Sequence, residues 1–487
     1  MLSKKLTENA VNIRAVMKNS SDLIMKYAKV CGTDVCIVSC DGQTDANKLA
    51  NLVYRPLTEL DERGGADIDG ERLAAMISGE LLIAGDQRTV ESAEDAVSAI
   101  MNGFCVILTD GARTGCAVGV QGFMTRAVTQ PENHRNIRGA REGFVEALHT
   151  NMSLVRRRVK SPHLVFTTLT VGKTSQTEVC VCRMESADKK LVKDVVRRLE
   201  RLPLSLILES GYIQPFLEKR SLLFSEVGAT ERPDTFVSKL YEGRIGVLVD
   251  GSPFALYLPK LFAENFMMLD DYTEKPIFGL FVRLIRWAAF FIAILLPGFY
   301  AALANFHPEL IPEALLRNLA AAESLTPYSV LTECLILDIF YEIMREAGLR
   351  LPSNVGHAVS IVGGIVIGDI VVSAGLVGAP MLLAVAIASI SGYIVSDIGF
   401  QVSFLRFAFI LAGGLFGLFG LTAAAFVLCV GICSLNSYGV PFTSPLSPFS
   451  RRSMRDIIFR SGWRELSRTE PDIYGMNGVG GREDDER

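Results

Sequence analysis

Asp369 is the residue whose chemistry would be most costly to leave unused. Between Ser353 and Ser450 only Asp369, Asp397 and Arg406 carry charge. Asp369 falls within Val355–Gly378, a stretch long enough to cross a bilayer as a helix. A carboxylate facing lipid is expensive, so Asp369 is expected to face protein or water. Helical spacing divides the stretch into two faces. Val362, Val366, Asp369 and Ser373 recur at i, i+4, i+7 and i+11, which suits a pore wall with a hydrophobic constriction beside a cation-attracting ring. Ser360, Gly364 and Gly368 form a small-residue ridge that admits a neighbouring helix. The competing reading is a glycine-rich packing helix whose Asp369 pairs with an arginine such as Arg406.

Other chemistry is less well supported. Gly172-Lys173-Thr174 imitates the end of a phosphate-binding loop, but Thr167 stands where the earlier glycine belongs, and the context reads as a hairpin. None of His134, His149, His163, His307 and His357 has metal-ligand or nucleophile–base spacing. Cys31, Cys36 and Cys40 match no zinc pattern, and the first part of the chain reads as free thiols in a reducing compartment. Arg156–Arg158 with Lys160 could bind phosphate or lipid headgroups, or be a solvated face or subunit contact. No enzyme, metal or cofactor is expected.

The elements that would position these residues divide by charge. Residues 1–286 hold 73 of the Asp, Glu, Lys and Arg residues, 287–450 hold 13 and 451–487 hold 16. That distribution excludes both a wholly soluble enzyme and a purely embedded carrier, and the formal net charge of −4 argues against a general nucleic-acid binder. The expected order is an N-terminal extension (1–20), two cytosolic α/β or α+β modules (20–125 and 126–280), an all-α polytopic membrane domain (281–440) and a cytosolic, largely disordered tail (441–487). Strands are predicted at Asp34–Cys40, Phe104–Thr109, Leu164–Val171, Thr177–Met184, Ile245–Val249 and Phe254–Leu258, and helices at Gly70–Leu82, Arg141–Lys160 and Asp188–Leu202. No internal repeat is visible. Trp287–Phe306 should span with a kink or break at Pro297-Gly298. Ser329–Ala347 is amphipathic, with Asp338, Glu342 and Glu346 on one face. Pro380–Ser396 is long enough to span, and Val402–Ser434 reads as one helix broken at Gly413-Gly414 or as two tight passes. Arginines flank both ends of this part, so both termini are expected in the cytosol, with four or six crossings.

A set of motifs then recurs in order. They are Arg138-Gly139-Ala140-Arg141-Glu142-Gly143-Phe144-Val145-Glu146, Asn151 through Arg156-Arg157-Arg158, Thr230-Glu231-Arg232-Pro233-Asp234, Glu242-Gly243-Arg244 and Asp250-Gly251-Ser252-Pro253-Phe254. Leu296-Pro297-Gly298-Phe299-Tyr300, Arg345 through Pro352, Pro441-Phe442 and Ser444-Pro445 complete the series. Carrying these, the chain resembles the A subunits of the GerA-type spore germinant receptors. The resemblance implies a subunit of the spore inner membrane, in contact with membrane lipid, acting with a transporter-like B subunit and a lipoprotein C subunit. It further implies oligomerisation into a nutrient-gated channel for monovalent cations, with Val362 and Asp369 on the helix that would line it. Arg141, Glu142, Arg156, Arg157, Arg158, Glu231, Arg232 and Asp234 are then expected to hold module interfaces and couple them to gating; plain structural salt bridges are the alternative. Ala140 departs from a usual proline, and Asp369 from a frequent amide, which bears on ion selectivity. A secondary transporter and a non-conducting signalling scaffold are the rival readings.

Overall fold

The computed structural model describes residues 1–63, 68–81, 86–122, 139–218, 223–350, 368, 370–449, 453–458, 460–462 and 464. The chain divides into two compact units, the first built from Met1–Arg220 and Ser225–Lys260, the second chiefly from Leu261–Arg468.

In the first unit, helix α1 (Leu6–Val16) precedes strands β1 (Leu23–Val30) and β2 (Thr33–Cys40). After short helical pieces come β3 (Gln87–Val90), α2 (Ala93–Met101), β4 (Phe104–Thr109) and β5 (Gly115–Gly119). The same series then recurs as α3 (Leu148–Arg158), β6 (Leu164–Val171), β7 (Thr177–Met184), α4 (Lys189–Glu200), β8 (Gly228–Thr230), α5 (Pro233–Tyr241), β9 (Ile245–Val249) and β10 (Ala255–Leu258). Each half forms one antiparallel five-stranded sheet, ordered β1-β2-β4-β5-β3 and β6-β7-β9-β10-β8.

The two halves share a hydrogen-bonding scheme as well as a strand order. Asp110 and Asp250 occupy the turns after β4 and β9, and their Oδ1 atoms accept the Leu6 and Leu148 amides at 2.9 and 3.0 Å, satisfying one orphan donor at the start of α1 and α3. The glycines that follow, Gly111 and Gly251, take φ near +84° and +83°, as these turns require. Asn9 closes on Ser3, and Asn151 on Val145. Leu2 and Phe144 each donate a backbone N–H, at 2.7 Å, to the carbonyls of Glu91 and Glu231. The expectation of no internal repeat is thereby corrected: the repeat lies in a few polar anchors, while the apolar positions between them, which need only suitable volume, have diverged.

A second correction concerns 141–160, where the helix begins only at Leu148. Residues 141–147 stay outside the helix because Asn151 and the Glu231 carbonyl take the Val145 and Phe144 amides, leaving both side chains buried.

The second unit is helical. Its elements are α6 (Pro276–Phe306), α7 (Glu313–Glu323), α8 (Val330–Arg350), α9 (Ala379–Ile394) and α10 (Gly399–Ser434). Helices over Pro276–Phe306 and Ser396–Ser434 are long and apolar enough to cross a membrane. Pro297 lies inside a continuous α6, so no break of the helix occurs there. In α10 the irregularity falls at Gly417, with φ 62° and ψ −150°, and not at Gly413-Gly414. A Cβ on Gly420 would lie 2.2 Å from the Ala412 carbonyl oxygen, although eight residues of straight helix would separate these positions by about 12 Å. The chain therefore folds back at Gly417, and Leu421 and Ile432 join Val402 and Leu405 in one buried cluster. Gly413 and Gly414 are consumed by packing: a Cβ at Gly413 would meet the Gly298 carbonyl oxygen at 2.2 Å, and one at Gly414 would meet Leu331 at 2.4 Å.

Candidate functional site

Among the described residues of the helical unit, two clusters of buried ion pairs stand out. On α8, Asp338, Glu342 and Arg345 share a face by their i, i+4, i+7 spacing. Arg406, from the first half of α10, is 1% exposed and meets them: its Nε donates to Asp338 Oδ1 at 2.5 Å and its Nη2 to Glu342 Oε1 at 2.7 Å. Arg345 Nη2 lies 2.7 Å from the other Glu342 oxygen. Two acids and two bases thus form a neutral quartet tying α8 to α10. The Arg406 guanidinium also lies 4.8 Å from the Tyr341 ring centroid, and that of Arg345 5.1 Å from the Phe400 ring. A cleft of about 700 Å³ opens beside the quartet, with Glu342, Glu346, Arg350 and Phe404 in its wall.

The second cluster lies at the start of α6. Asp271 accepts from Arg283 Nε at 3.0 Å and Arg286 Nη1 at 2.8 Å, and Arg283 Nη1 also donates to the Asp456 carbonyl at 2.6 Å. Burial, with the Asp456 carboxylate next, pushes the neighbouring Tyr272 hydroxyl well above its ordinary range, against the opposing pull of Arg283. The residues following α10 are thereby fastened to the foot of α6.

In the first unit the two halves meet around Arg156, which is fully buried. Its Nε donates to Asp22 Oδ2 at 2.8 Å, its Nη2 to Ser20 Oγ at 3.3 Å and its Nη1 to the Ser161 carbonyl at 3.0 Å. Its guanidinium lies 4.7 Å from the Phe166 ring centroid. Around it, Ser153 Oγ donates to the Gly42 carbonyl at 2.5 Å, and His149 Nδ1 lies 2.7 Å from Asp41 Oδ2. Burial, then the adjacent Asp22 carboxylate, push the Cys40 thiol well above its ordinary range.

The remaining expected interface residues separate by role. Glu142 receives both Arg157 and Arg158, the latter at 2.7 Å. Hydrogen bonding from Arg157 is the largest influence lowering the Glu142 carboxyl, with burial opposing it. Arg232 reaches Asp234 Oδ2 at 2.5 Å and the Ala140 carbonyl at 3.0 Å, bracing the non-helical segment before α3. Glu231 is buried and offers its backbone carbonyl to Phe144, while Arg141 is exposed. Of the expected pore face, Val362, Val366 and Asp369 lie outside the described residues, and Ser373 is exposed. Of the expected packing ridge, Ser360 and Gly364 lie outside them too, while Gly368 is exposed and a Cβ there would meet nothing within 4 Å. Spacing of small residues alone misses Gly298 with Gly413, where two helix backbones do touch. Their positions inside long apolar runs are the available signal.

The buried charges lie in a helical unit that follows a twofold-repeated α/β unit, and comparison with known proteins gives this arrangement its family. The chain belongs to the Bacillus/Clostridium GerA spore germination protein family, whose model matches residues 11–472. It is 34% identical to spore germination protein KA of Bacillus subtilis (strain 168) over 95% of this chain and 86% of that one. It is 32% identical to spore germination protein GerLA of Bacillus cereus over 94% of each. The crystal structure of the N-terminal domain of the A subunit of the Bacillus megaterium spore germinant receptor GerK3 matches 54% of this chain and 97% of that one, at 28% identity and a TM-score of 0.43. The resemblance read from the motifs is thus confirmed, and family and apolar helices together point to a membrane protein.

Proposed function

We propose that this chain is the A subunit of a spore germinant receptor, held in the spore inner membrane by four to six crossings with both termini cytosolic. In this reading it oligomerises and, with a transporter-like B subunit and a lipoprotein C subunit, passes monovalent cations when a nutrient-bound partner opens it. Family membership and relatives named as spore germination proteins support the receptor role. Val362, Val366, Asp369 and Ser373 line the conducting path, and Ser360, Gly364 and Gly368 seat a neighbouring helix. Arg141, Glu142, Arg156–Arg158, Glu231, Arg232 and Asp234 transmit movement between modules.

One observation favours the pore over the packing alternative. Arg406, the arginine that the packing alternative would pair with Asp369, already commits Nε and Nη2 to Asp338 and Glu342 at 2.5 and 2.7 Å. Any carboxylate in an apolar span that no arginine neutralises is better served by water or ions. The test is reconstitution in vesicles with and without the B and C partners, recording K⁺ flux on adding nutrient. Absence of flux from the full complex would sink the channel reading. Flux unchanged by both Val362→Ala and Asp369→Asn would move the pore elsewhere, and substrate uptake by the isolated chain would indicate a transporter.

A further inference from the structure

The end of α6, the end of α7, the start of α8 and the amino end of α9 meet around Glu333. This side chain is 1% exposed. Its Oε2 accepts the Gly378 backbone N–H at 3.1 Å, at the positive end of α9. Its Oε1 has no hydrogen-bond partner. Its neighbours along α8, Val330, Cys334 and Leu337, and Val377 beside Gly378 belong to one buried apolar cluster. An ionised carboxylate oxygen left bare in such surroundings costs several kcal/mol unless a countercharge reaches it.

A second carboxylate is near. Glu323, at the end of α7, accepts from the Tyr300 hydroxyl at 3.2 Å. Burial raises the Glu323 carboxyl, the Tyr300 hydrogen bond lowers it, and the Glu333 carboxylate raises it again. Tyr300 itself packs against the apolar cluster that surrounds Glu333, which brings both acids to one corner of the unit, and among the described residues no basic side chain forms an ion pair with either. The helix end serves only Oε2. What is missing is positive charge small enough to reach Oε1 and Glu323 together.

We infer that Glu333 and Glu323 hold a hard divalent cation of the calcium or magnesium class. The two carboxylates balance its charge, and the Tyr300 hydroxyl, backbone carbonyls and water complete an oxygen shell. Among the described residues no group of three or more acids, thiols or imidazoles forms a metal cage, so this is a low-ligand-charge site with affinity of about 10⁻⁴–10⁻³ M. The ion would pin α6, α7, α8 and α9 to one another. The inference concerns binding by the isolated chain and is independent of conduction.

The experiment is thermal unfolding of the full-length chain in detergent, titrating Ca²⁺ or Mg²⁺ to about tenfold above that range, with K⁺ at matched ionic strength as the control. A saturable rise in Tm with the divalent ion, lost in Glu333→Gln, is expected. Glu323→Gln, at the half-buried position, serves if Glu333→Gln does not fold, and should weaken binding at least tenfold. No rise in the wild-type chain, an equal rise with K⁺, or a rise that survives in the variants overturns the assignment.

Discussion

Replacing Arg156 by Met should destabilise the first unit far more than removing either of its neighbours. The Asp22 side chain left behind is 1% exposed, and removing one partner of a buried ion pair costs about 3–5 kcal/mol through the charge left uncompensated. Asp22 would keep the Ser20 hydroxyl at 2.5 Å and the Cys40 thiol at 3.2 Å, which places the electrostatic loss near the lower bound, about 3 kcal/mol. Loss of the guanidinium from the Phe166 ring adds about 1 kcal/mol. The expected total of about 4 kcal/mol is a large share of a typical stability of about 5–15 kcal/mol. Arg157→Ala and Arg158→Ala remove partly exposed contacts to Glu142 and should each cost about 1 kcal/mol or less. Pulse proteolysis of the full-length chain in increasing urea, scored on fragments of residues 1–260, measures these differences. Adding Asp22→Asn to Arg156→Met removes the orphan charge and should recover about 1–3 kcal/mol. An Arg156→Met variant as stable as Arg157→Ala, or a double variant whose losses simply add, would refute the reasoning.

Gly413→Ala places a methyl 2.2 Å from the Gly298 carbonyl oxygen and should cost about 1–3 kcal/mol, whereas Gly431→Ala meets nothing within 4 Å and should be neutral; thermal unfolding in detergent compares the two. Arg406→Met strands Asp338, 2% exposed, and should lower stability by about 3–5 kcal/mol in the same assay, with Asp338→Asn added to it restoring part of the loss. Because the Glu142 carboxyl is lowered in the folded chain, its contribution is present above the unfolded carboxylate value of about 4.3 and is lost as pH falls through the lower folded value. Proteolytic cutting at 139–147 should therefore accelerate below about pH 4, and Glu142→Gln should flatten that dependence. Burial pushes the Cys36 thiol up to about 11, so iodoacetamide at pH 8 should leave it unmodified in the native chain and label it after unfolding, as peptide mass spectrometry would show.

The sheets are legible in the sequence where strands carry β-branched runs closed by Asp-Gly or a polar loop. Leu164–Val171 and Thr177–Met184 occur as expected, and Ile245–Val249 pairs across its turn. Helix limits fail where distant groups compete for backbone amides, as at 141–147, because periodicity carries no information about Asn151 or the Glu231 carbonyl. Composition leaves open a break at Gly413-Gly414 or two tight passes in the last long apolar run, and the turn falls at Gly417. Which glycine bends and which packs depends on what lies opposite, and Gly298 and Leu331 are more than 80 residues away in sequence. The acidic face of α8 is legible from spacing, but its arginine partner is not: Arg406 reaches Asp338 and Glu342 from 64 to 68 residues away, and spacing along one helix cannot show such a contact.

Contact between Gly298 and the 409–413 backbone has a mechanical consequence. Side chains that interdigitate can exchange rotamers and let helices slide by small steps, as shear motions do. Here a carbonyl oxygen faces a bare α-carbon on each side, so no rotamer remains to absorb a displacement. Helix α6 and the first half of α10 should therefore travel as one stiff beam. Movement against that beam is then left to helices tied to it by side chains, as α8 is through the Asp338–Arg406 pair.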